Sequence, residues 1–230
     1  GNALPGGEDL GEADDAHLRF RLDNHDVLFL QLVSNRTQLQ LGQALELLQR
    51  TKRGNLQPLK GQVVVVGGGN TAIDAARVSL RLGGRPIVLY RRSREEMPAT
   101  EEEILRAEKE GVVFHYLTAV YGVVEEEGRV NAVSCIKTEL GDKDEKGRRV
   151  FQLREGSNFE LKAEHILFAV GQKSDLSFLP SRIRREDGLI TVDSSLETAV
   201  EGTFAGGDAV DQPRTIVHAI ASGKRSALAI

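Results

Sequence analysis

Cysteine is almost absent from this sequence, in which Cys135 is the single example among 230 residues. One thiol cannot form an internal disulfide, a CxxC redox pair or a cysteine cluster for zinc or iron–sulfur. The sequence therefore excludes a dithiol redox centre within this chain, and we predict no metal site. A single thiol is compatible with a reducing, cytoplasmic setting, which is the localisation we expect.

Long apolar segments and an excess of one charge are also lacking. The longest apolar runs, Val63–Val66 and Ile166–Val170, are about a quarter as long as a membrane helix. The N-terminus shows no charged-then-apolar secretory pattern. The 34 acidic and 30 basic residues are mixed and give a net charge of −4, which favours neither nucleic acid nor a membrane as a partner. We expect a soluble globular protein of one large or two small domains.

The N-terminal part of the chain has three segments of different character. GNALPGGEDLGEADD is rich in glycine and acid and predicts a linker. DVLFLQL, Asp26–Leu32, predicts a buried strand. LGQALELLQRTKRG has apolar residues at helical spacing and predicts a helix that begins near Leu41 and ends at Gly54.

From Gln62 onward the predicted elements alternate. A β-branched strand (Val63–Val66), a glycine turn, a helix from about Thr71 to Leu82 and a second strand, Pro86–Tyr90, make up a βαβ unit. A helix from about Thr100 to Glu110 follows, with Thr and Glu at capping-box spacing at its start.

The later segments predict a second kind of sheet. VVFHYL is a third strand, and YGVVEEEGRVNAVSCIKTEL contains two strands that turn at Glu127-Gly128. The polar tip GDKDEKGRR leads to VFQL, so that the pattern indicates an antiparallel meander. EHILFAVGQ and TFAGGD predict further strands, and a helix closes the chain at about Ile216–Ile230. The fold class is α/β, a Rossmann-like parallel sheet with an appended β-meander.

The turn after the predicted strand Val63–Val66 has the pattern G-x-G-x-x-A. Gly67 permits the tight turn, Gly69 lets the backbone approach a pyrophosphate, and Ala72 lets the helix lie close to the sheet. The helix N-terminus adds free N–H groups and a positive dipole end. Because the motif stands within a complete βαβ unit, it indicates a dinucleotide site rather than a structural turn. Its six residues are Gly67, Gly68, Gly69, Asn70, Thr71 and Ala72.

The end of the second strand bears on the choice of coenzyme. An NAD site places Asp or Glu there for the ribose 2′-OH, whereas this chain has Arg91 and Arg92, which would complement a 2′-phosphate. NADP is therefore favoured. The alternative is that RRSREE is a solvated loop whose charges compensate one another.

Several of these motifs together resemble the NADPH-dependent glutamate synthase small-subunit family of FAD/NAD(P)-binding pyridine nucleotide oxidoreductases, which have a disulfide-reductase-like fold. The motifs are VVVVGGGNTAIDAARVSLRLGG, VLYRRSREEMPATEEE, the hairpin ending in GRR, FAVGQKSD and FAGGDAV, and they span about Leu41 to Ile230. The resemblance implies an NADP domain inserted into an FAD domain. It also implies that NADPH gives hydride to the flavin and that electrons pass on, often through iron–sulfur clusters, to a partner protein or subunit.

The resemblance assigns roles to further residues. It places Asn70 close to the pyrophosphate and Arg91 with Arg92 at the 2′-phosphate. Glu103 matches an acidic residue beside the nicotinamide ribose or the arginines, although a helix cap explains it equally well. No residue is predicted to be catalytic, and His218 is expected to be a packed or surface histidine.

Two later turns are implied to serve the flavin. Val170-Gly171-Gln172 matches the turn where the chain passes between the two dinucleotide domains. Gly207 and Asp208 match the second flavin motif, whose aspartate bonds the ribityl chain, although a lone GGD is more often an ordinary turn. The resemblance thus adds the C-terminal part of an FAD-type domain to the predicted fold.

The sequence departs from the family in its first sixty residues. A complete member begins with its own flavin G-x-G-x-x-G, and the glutamate synthase type adds a cysteine-rich segment, but Gly1–Lys60 contains neither. We therefore expect FAD to bind weakly or not at all to this chain alone. The predicted domains are 1–58, an FAD-side segment poorly matched before about residue 39; 59–170, which binds NADP; and 171–230, the rest of the FAD domain. The predicted function is NADPH-driven electron input to a flavin, and the alternative is a non-catalytic NADP(H)-binding module.

Overall fold

A computed structural model describes residues 17–19, 41–54, 57–144, 147–171, 174–210 and 215–230. The predicted linker at residues 1–15 and the predicted strand at Asp26–Leu32 lie outside these ranges. The structure divides into two compact units, Gly1–Val170 and Gly171–Ile230. The strands and helices, in chain order, are β1 (His17–Arg19), β2 (Leu41–Gln43), α1 (Ala44–Lys52), β3 (Gly61–Val66), α2 (Asn70–Arg81), β4 (Gly84–Leu89), α3 (Glu101–Glu110), β5 (Val113–His115), β6 (Thr118–Glu126), β7 (Arg129–Lys143), β8 (Arg149–Leu153), β9 (Phe159–Lys162), β10 (His165–Phe168), β11 (Arg185–Glu186), β12 (Leu189–Ile190) and α4 (Ile216–Ala229).

Five parallel strands form the main sheet of the first unit, in the order β2-β10-β3-β4-β5. β3 lies at the centre, and its Val63, Val64 and Val65 are all 0% exposed. Such continuous burial is expected of a central parallel strand that is covered on both faces. Since α2 connects β3 to β4, the predicted βαβ unit and the α/β fold class are confirmed.

The valines of β3 belong to two cores because successive side chains of a strand point to opposite faces. Val63 and Val65 pack with the helical layer, which includes Ile73 of α2. Val64 packs with the other layer, which includes Val133 of β7. Each fully buried side chain of this kind contributes roughly 1.5–3 kcal/mol. Both layers therefore fix the position of β3 and of the turn that follows it.

The predicted β-meander is an antiparallel sheet of β1, β6, β7, β8 and β9. β6 and β7 turn at Glu127 and Gly128, whose φ angles are 52° and 72°, the paired positive values that tight hairpins require. β7 is 15 residues long and pairs with β6, β8 and β9. Its length allows the β7–β8 hairpin to extend beyond β6, and this hairpin bears on the candidate site described below.

Two predicted boundaries in the first unit are wrong. Leu41 was placed in a helix, but it lies in β2, which pairs in parallel with β10, and α1 begins only at Ala44. The second strand was placed from Pro86, whereas β4 begins at Gly84. A Cβ on Gly84 would lie 2.7 Å from a methyl carbon of Val63, so that glycine permits the close pairing at this end of β3 and β4.

The second unit contains β11, β12, α4 and two isolated bridges, Val192–Thr198 and Glu197–Phe204. The prediction of a strand at TFAGGD is therefore wrong, because Phe204 alone in this segment forms a β-bridge among the described residues. The chain turns instead into a short 3-10 helix at Gly207–Ala209, where Gly207 has a φ of 66°. α4 is capped by Thr215, whose hydroxyl accepts from the N–H of His218 over 3.1 Å. Its large apolar side chains are between 64% and 87% exposed at Ile216, Val217, Ile220 and Leu228.

The parallel sheet extends beyond the predicted domain boundary between residues 58 and 59. β2 pairs with β10, and Leu47 of α1 packs against the core that also contains Ile73 of α2. Both early elements therefore belong to the compact unit that ends at Val170. The assignment of 59–170 to an NADP-binding domain and of 171–230 to an FAD-binding domain stays a prediction.

Candidate functional site

The three glycines between β3 and α2 are required for different physical reasons. Gly67 has a φ of 148°, and a Cβ there would lie 2.5 Å from the carbonyl oxygen of Ala169. A Cβ on Gly68 would lie 2.5 Å from the ring of Tyr90. Apart from the two chain neighbours of Gly69, no described residue has a heavy atom within 4 Å of the place where a Cβ on Gly69 would stand. Gly67 and Gly68 are thus needed by the fold, whereas the space at Gly69 is free for a ligand.

The start of α2 supplies hydrogen-bond donors next to that space. Gly69 is the N-cap and has no side chain to cap the helix. The first N–H groups of a helix have no acceptor within it, and no described group accepts from the N–H of Asn70 or Thr71. Ala72 is 0% exposed, so that the helix lies close to the sheet. This arrangement fits an anionic group, which the helix dipole also favours.

The loop after β4 is tied to the glycine turn. The N–H of Ala99 donates to the carbonyl of Gly68 over 3.0 Å, and the N–H of Thr100 donates to Asn70 Oδ1 over 3.2 Å. Tyr90 lies under Gly68 and donates its hydroxyl to the carbonyl of Glu96 over 2.7 Å. Burial raises the pKa of Tyr90, which keeps this hydroxyl protonated. The side chain of Asn70, predicted to lie close to the pyrophosphate, therefore also positions the start of α3.

The predicted 2′-phosphate residues follow β4 and lie against the β7–β8 hairpin. The guanidinium carbons of Arg91 and Arg92 are 4.7 Å and 5.9 Å from the ring centroid of Phe151. Arg92 Nε donates to the carbonyl of Arg149 over 2.7 Å, and Thr138 Oγ1 donates to the carbonyl of Arg91 over 2.7 Å. Sequence reasoning missed Phe151 and Thr138. The arginine pair in GRRVF was the available signal, because it places more basic residues on the adjoining hairpin.

Arg94 behaves differently from the two arginines before it. Its guanidinium donates to Glu101 over 2.8 Å, and it also bonds Glu108 and the hydroxyl of Tyr116. These carboxylates raise the pKa of Arg94, mainly through the hydrogen bond to Glu108. The charge of Arg94 is therefore compensated by carboxylates of α3 rather than within RRSREE, and Arg94 links the loop to α3.

Glu103 has two structural roles in the folded chain. Its N–H donates to Thr100 Oγ1 over 3.4 Å, which caps α3 as the sequence spacing indicated. Its carboxylate lies 2.7 Å from Nη1 of Arg77, and Arg77 also pairs with Glu110 over 2.6 Å. The carboxylate is thus engaged between α2 and α3. A role of Glu103 toward the coenzyme stays a prediction.

The turn Val170-Gly171-Gln172 is described only in part, since Gln172 lies outside the described residues. Gly171 has a φ of 100°, a conformation that favours glycine. Just before it, the N–H of Ala169 donates to the carbonyl of Val66 over 2.8 Å. The end of β10 is therefore fixed beside the start of the glycine turn, and the role of 170–172 stays a prediction.

The predicted flavin motif forms a turn that packs on α4. The N–H of Gly207 donates to Ser222 Oγ over 2.8 Å, whereas Asp208 is exposed. Gly207 and Ser222 also line a cavity of about 500 Å³ within the second unit, together with Asp193, His218 and Arg225. The turn thus offers an exposed carboxylate beside a cavity lined by both polar and apolar residues, and its role toward the ribityl chain stays a prediction.

The chain is similar to a known protein family and to solved structures. The family model of the pyridine nucleotide-disulphide oxidoreductases matches residues 33–223. The chain belongs to this family. Its fold resembles that of the thioredoxin reductases of T. acidophilum and Lactococcus lactis, with TM-scores of 0.62 and 0.66 at 23% and 20% identity. The match to the T. acidophilum enzyme covers 77% of this chain and 54% of that protein. The match to the Lactococcus lactis enzyme covers 86% of this chain and 61% of that protein.

Curated relatives are more similar in sequence. The chain is 46% identical over 176 residues to the NADP(+)-dependent formate dehydrogenase subunit beta of Moorella thermoacetica, covering 75% of this chain and 25% of that protein. It is 36% identical over 212 residues to the NADPH-Fe(3+) oxidoreductase subunit beta of Geobacter sulfurreducens, and the match covers 81% of this chain and 32% of that protein. It is 35% identical over 175 residues to the glutamate synthase [NADPH] small chain of Escherichia coli, and the match covers 72% of this chain and 37% of that protein.

These matches confirm the resemblance to the glutamate synthase small-subunit group. The chain spans between 25% and 37% of the length of these three relatives. Within the described ranges, every helix is too short or too polar to cross a membrane. The described residues also bring together no cluster of His, Cys, Asp or Glu able to hold a metal ion.

Proposed function

We propose that this chain binds NADPH and forms the electron-input portion of a flavin-dependent oxidoreductase, passing hydride to FAD and electrons on to a partner acceptor. One arrangement supports this function most strongly. The open space at Gly69 lies at the start of α2, and Arg91 and Arg92 follow shortly after the end of β4. In a βαβ nucleotide-binding unit these two positions serve the pyrophosphate and the adenosine ribose.

The glycine turn would hold the pyrophosphate. At Gly69 the backbone can approach a phosphate without contact from a Cβ, and the N–H groups of Asn70 and Thr71 can donate to its oxygens. Gly67 and Gly68 keep the turn close to β10 and to Tyr90. The residues present therefore fit a dinucleotide at this position.

The two arginines would select the phosphorylated coenzyme. Guanidinium groups form charge-assisted hydrogen bonds with phosphate, whereas the ribose 2′-OH of NADH gives them no comparable partner. The Moorella, Geobacter and E. coli relatives are all named for NADP(+) or NADPH, which supports the same choice for this chain.

The chemistry needs alignment more than it needs a catalytic side chain. NADPH, when bound, supplies a hydride from C4 of its nicotinamide. A hydride donor and its acceptor react when they are held at the right distance and orientation. Residues of this chain would anchor the pyrophosphate and the ribose phosphate and thereby fix the direction of the coenzyme. We accordingly propose no acid, base or nucleophile.

FAD fits the described residues only in part. The turn at Gly207 and Asp208 adjoins a cavity lined by both polar and apolar residues, but the sequence holds a single G-x-G-x-x-A turn, which we assign to NADPH. We therefore propose that FAD binds weakly to this chain alone and that further protein completes its site. The exposed apolar side chains of α4 support such a partner surface. Two relatives are named as beta subunits, which supports a partner acceptor.

A second candidate is a non-catalytic NADP(H)-binding module, for which the glycine turn at the start of α2 would suffice. The experiment compares the reduction of an artificial electron acceptor by NADPH with and without added FAD. FAD-dependent reduction is expected for the electron-input function. NADPH binding without reduction in either condition selects the module, and binding of neither nucleotide contradicts both.

The absorbance spectrum of the purified chain provides a separate test of the flavin site. We expect little bound FAD, because a second pyrophosphate cradle would supply much of the orienting interaction for so large a ligand. Stoichiometric, tightly bound FAD would contradict the proposal that further protein completes the site.

A further inference from the structure

The antiparallel sheet fixes the loop after β4 through several hydrogen bonds. Thr138 of β7 donates its hydroxyl to the carbonyl of Arg91 over 2.7 Å. The N–H of Leu117, just before β6, donates to the carbonyl of Arg92 over 3.1 Å. Arg92 Nε donates to the carbonyl of Arg149 on β8 over 2.7 Å. The meander thus positions both the backbone and one side chain of the arginine pair.

Phe151 of β8 contacts the two guanidinium groups themselves. Its ring centroid is 4.7 Å from Cζ of Arg91 and 5.9 Å from Cζ of Arg92, within the distance of a cation–π interaction. Such a contact uses the face of the ring and does not itself occupy a guanidinium N–H group. One ring therefore restrains two cations without neutralising either of them.

We infer that Phe151 is a positioning residue for coenzyme selectivity, because its ring holds Arg91 and Arg92 ready for the 2′-phosphate of NADPH. The inference rests on the proposed function. It adds that the determinant of selectivity includes a residue of the meander, on an element outside the βαβ unit that forms the nucleotide cradle.

The physical reason is preorganisation. A free arginine side chain loses much of its rotamer freedom when it binds a phosphate. A side chain that is already restrained loses less, so that more of the interaction is retained as affinity. The benefit is confined to NADPH, because NADH has no 2′-phosphate for the arginines to bind. A role of Phe151 in packing alone would affect both coenzymes or neither.

The test is a calorimetric titration of NADPH and of NADH against the 230-residue chain, three Phe151 variants and one control variant, at fixed ionic strength. Phe151→Ala removes the side chain, Phe151→Leu keeps apolar volume without the aromatic face, and Phe151→Tyr keeps the ring. Val150→Ala is the matched control, because Val150 is the neighbouring residue of β8, is 44% exposed and points to the opposite face. Urea unfolding of each variant reports whether the fold is retained.

Phe151→Ala should weaken NADPH binding about three- to tenfold and NADH binding less than about twofold, because the unrestrained arginines must then lose rotamer freedom on binding the phosphate. Phe151→Leu should lose a similar amount of NADPH affinity. Phe151→Tyr and Val150→Ala should stay close to the parent chain in both affinities. Rescue by tyrosine would assign the effect to the aromatic face.

Equal losses for both coenzymes in Phe151→Ala, or full selectivity in a folded Phe151→Leu, would overturn the inference. If Phe151→Ala does not fold, Phe151→Leu decides the question, because it preserves the apolar contacts of β8. A parent chain that binds NADPH and NADH equally defeats the NADP preference and this inference together. A parent chain that prefers NADPH while Phe151→Leu keeps that preference defeats this inference alone.

Discussion

The ring of Tyr90 lies directly against the backbone of Gly68, so that a Cβ on Gly68 would stand 2.5 Å from ring carbon Cδ2. Tyr90 is 7% exposed, and its hydroxyl donates to the carbonyl of Glu96 over 2.7 Å. The ring is therefore held from both ends and has little space into which it can move. The middle glycine of the nucleotide turn is thus a requirement of the fold.

Gly68→Ala should lower the free energy of unfolding by about 1–3 kcal/mol, the usual cost of added volume in a packed site. Urea denaturation measures the effect. Gly69→Ala is the matched control, because its new Cβ has no heavy atom of the described residues within 4 Å apart from the chain neighbours, and its φ of −90° suits any residue. A Gly68→Ala variant as stable as the control would show that Tyr90 can move aside.

Gly69→Val should abolish dinucleotide binding while the chain remains folded. The branched side chain would fill the space into which the pyrophosphate has to fit, and its Cβ would meet no atom of the described residues beyond the chain neighbours. The measurements are NADPH titration and urea unfolding of the same preparation. A folded Gly69→Val chain with unchanged NADPH affinity would mean that any dinucleotide binds elsewhere.

The βαβ unit could be predicted from the sequence because its signals are local. Four valines, three glycines and an alanine-rich helix stand next to one another, and each determines the conformation of its own segment. TFAGGD was wrong as a strand because a short β-like run does not form a strand without a partner. In the structure Phe204 makes one isolated bridge before Gly207 turns the chain.

The surroundings of the arginine pair could not be predicted in the same way. Arg92 and Arg149 are 57 residues apart in sequence, and Thr138 and Arg91 are 47 apart. Such contacts depend on the length of β7 and on the register of the meander, which local propensity does not determine. The sequence therefore predicted the arginine pair as coenzyme residues, which stays a prediction, but not the contacts that hold the pair in place.

Glu103→Gln should leave NADPH affinity within about twofold of the parent and reduce stability by less than about 1 kcal/mol, as expected for a partly exposed ion pair. The carboxylate is engaged with Arg77, at 2.7 Å, and the cap of α3 uses the backbone N–H, which the variant keeps. Titration and unfolding of the variant measure the two effects. A large loss of NADPH affinity with normal stability would instead assign Glu103 to the coenzyme.

The last prediction is that the chain prefers NADPH to NADH and that Arg91 and Arg92 are responsible. Each charge-assisted bond from a guanidinium to the 2′-phosphate is worth about 1.5–3 kcal/mol. Since ~1.4 kcal/mol is tenfold in affinity, Arg92→Ala should weaken NADPH binding roughly ten- to a hundredfold and leave NADH almost unchanged. Arg92→Lys should recover only part of the loss, because lysine lacks the planar fork and the Nε that donates to Arg149. Calorimetric titrations at fixed ionic strength test this, since salt screens charged contacts. Equal affinities of the parent chain for NADPH and NADH, or equal losses of both in Arg92→Ala, would contradict this prediction. The two arginines would then be interpreted as part of a solvated loop.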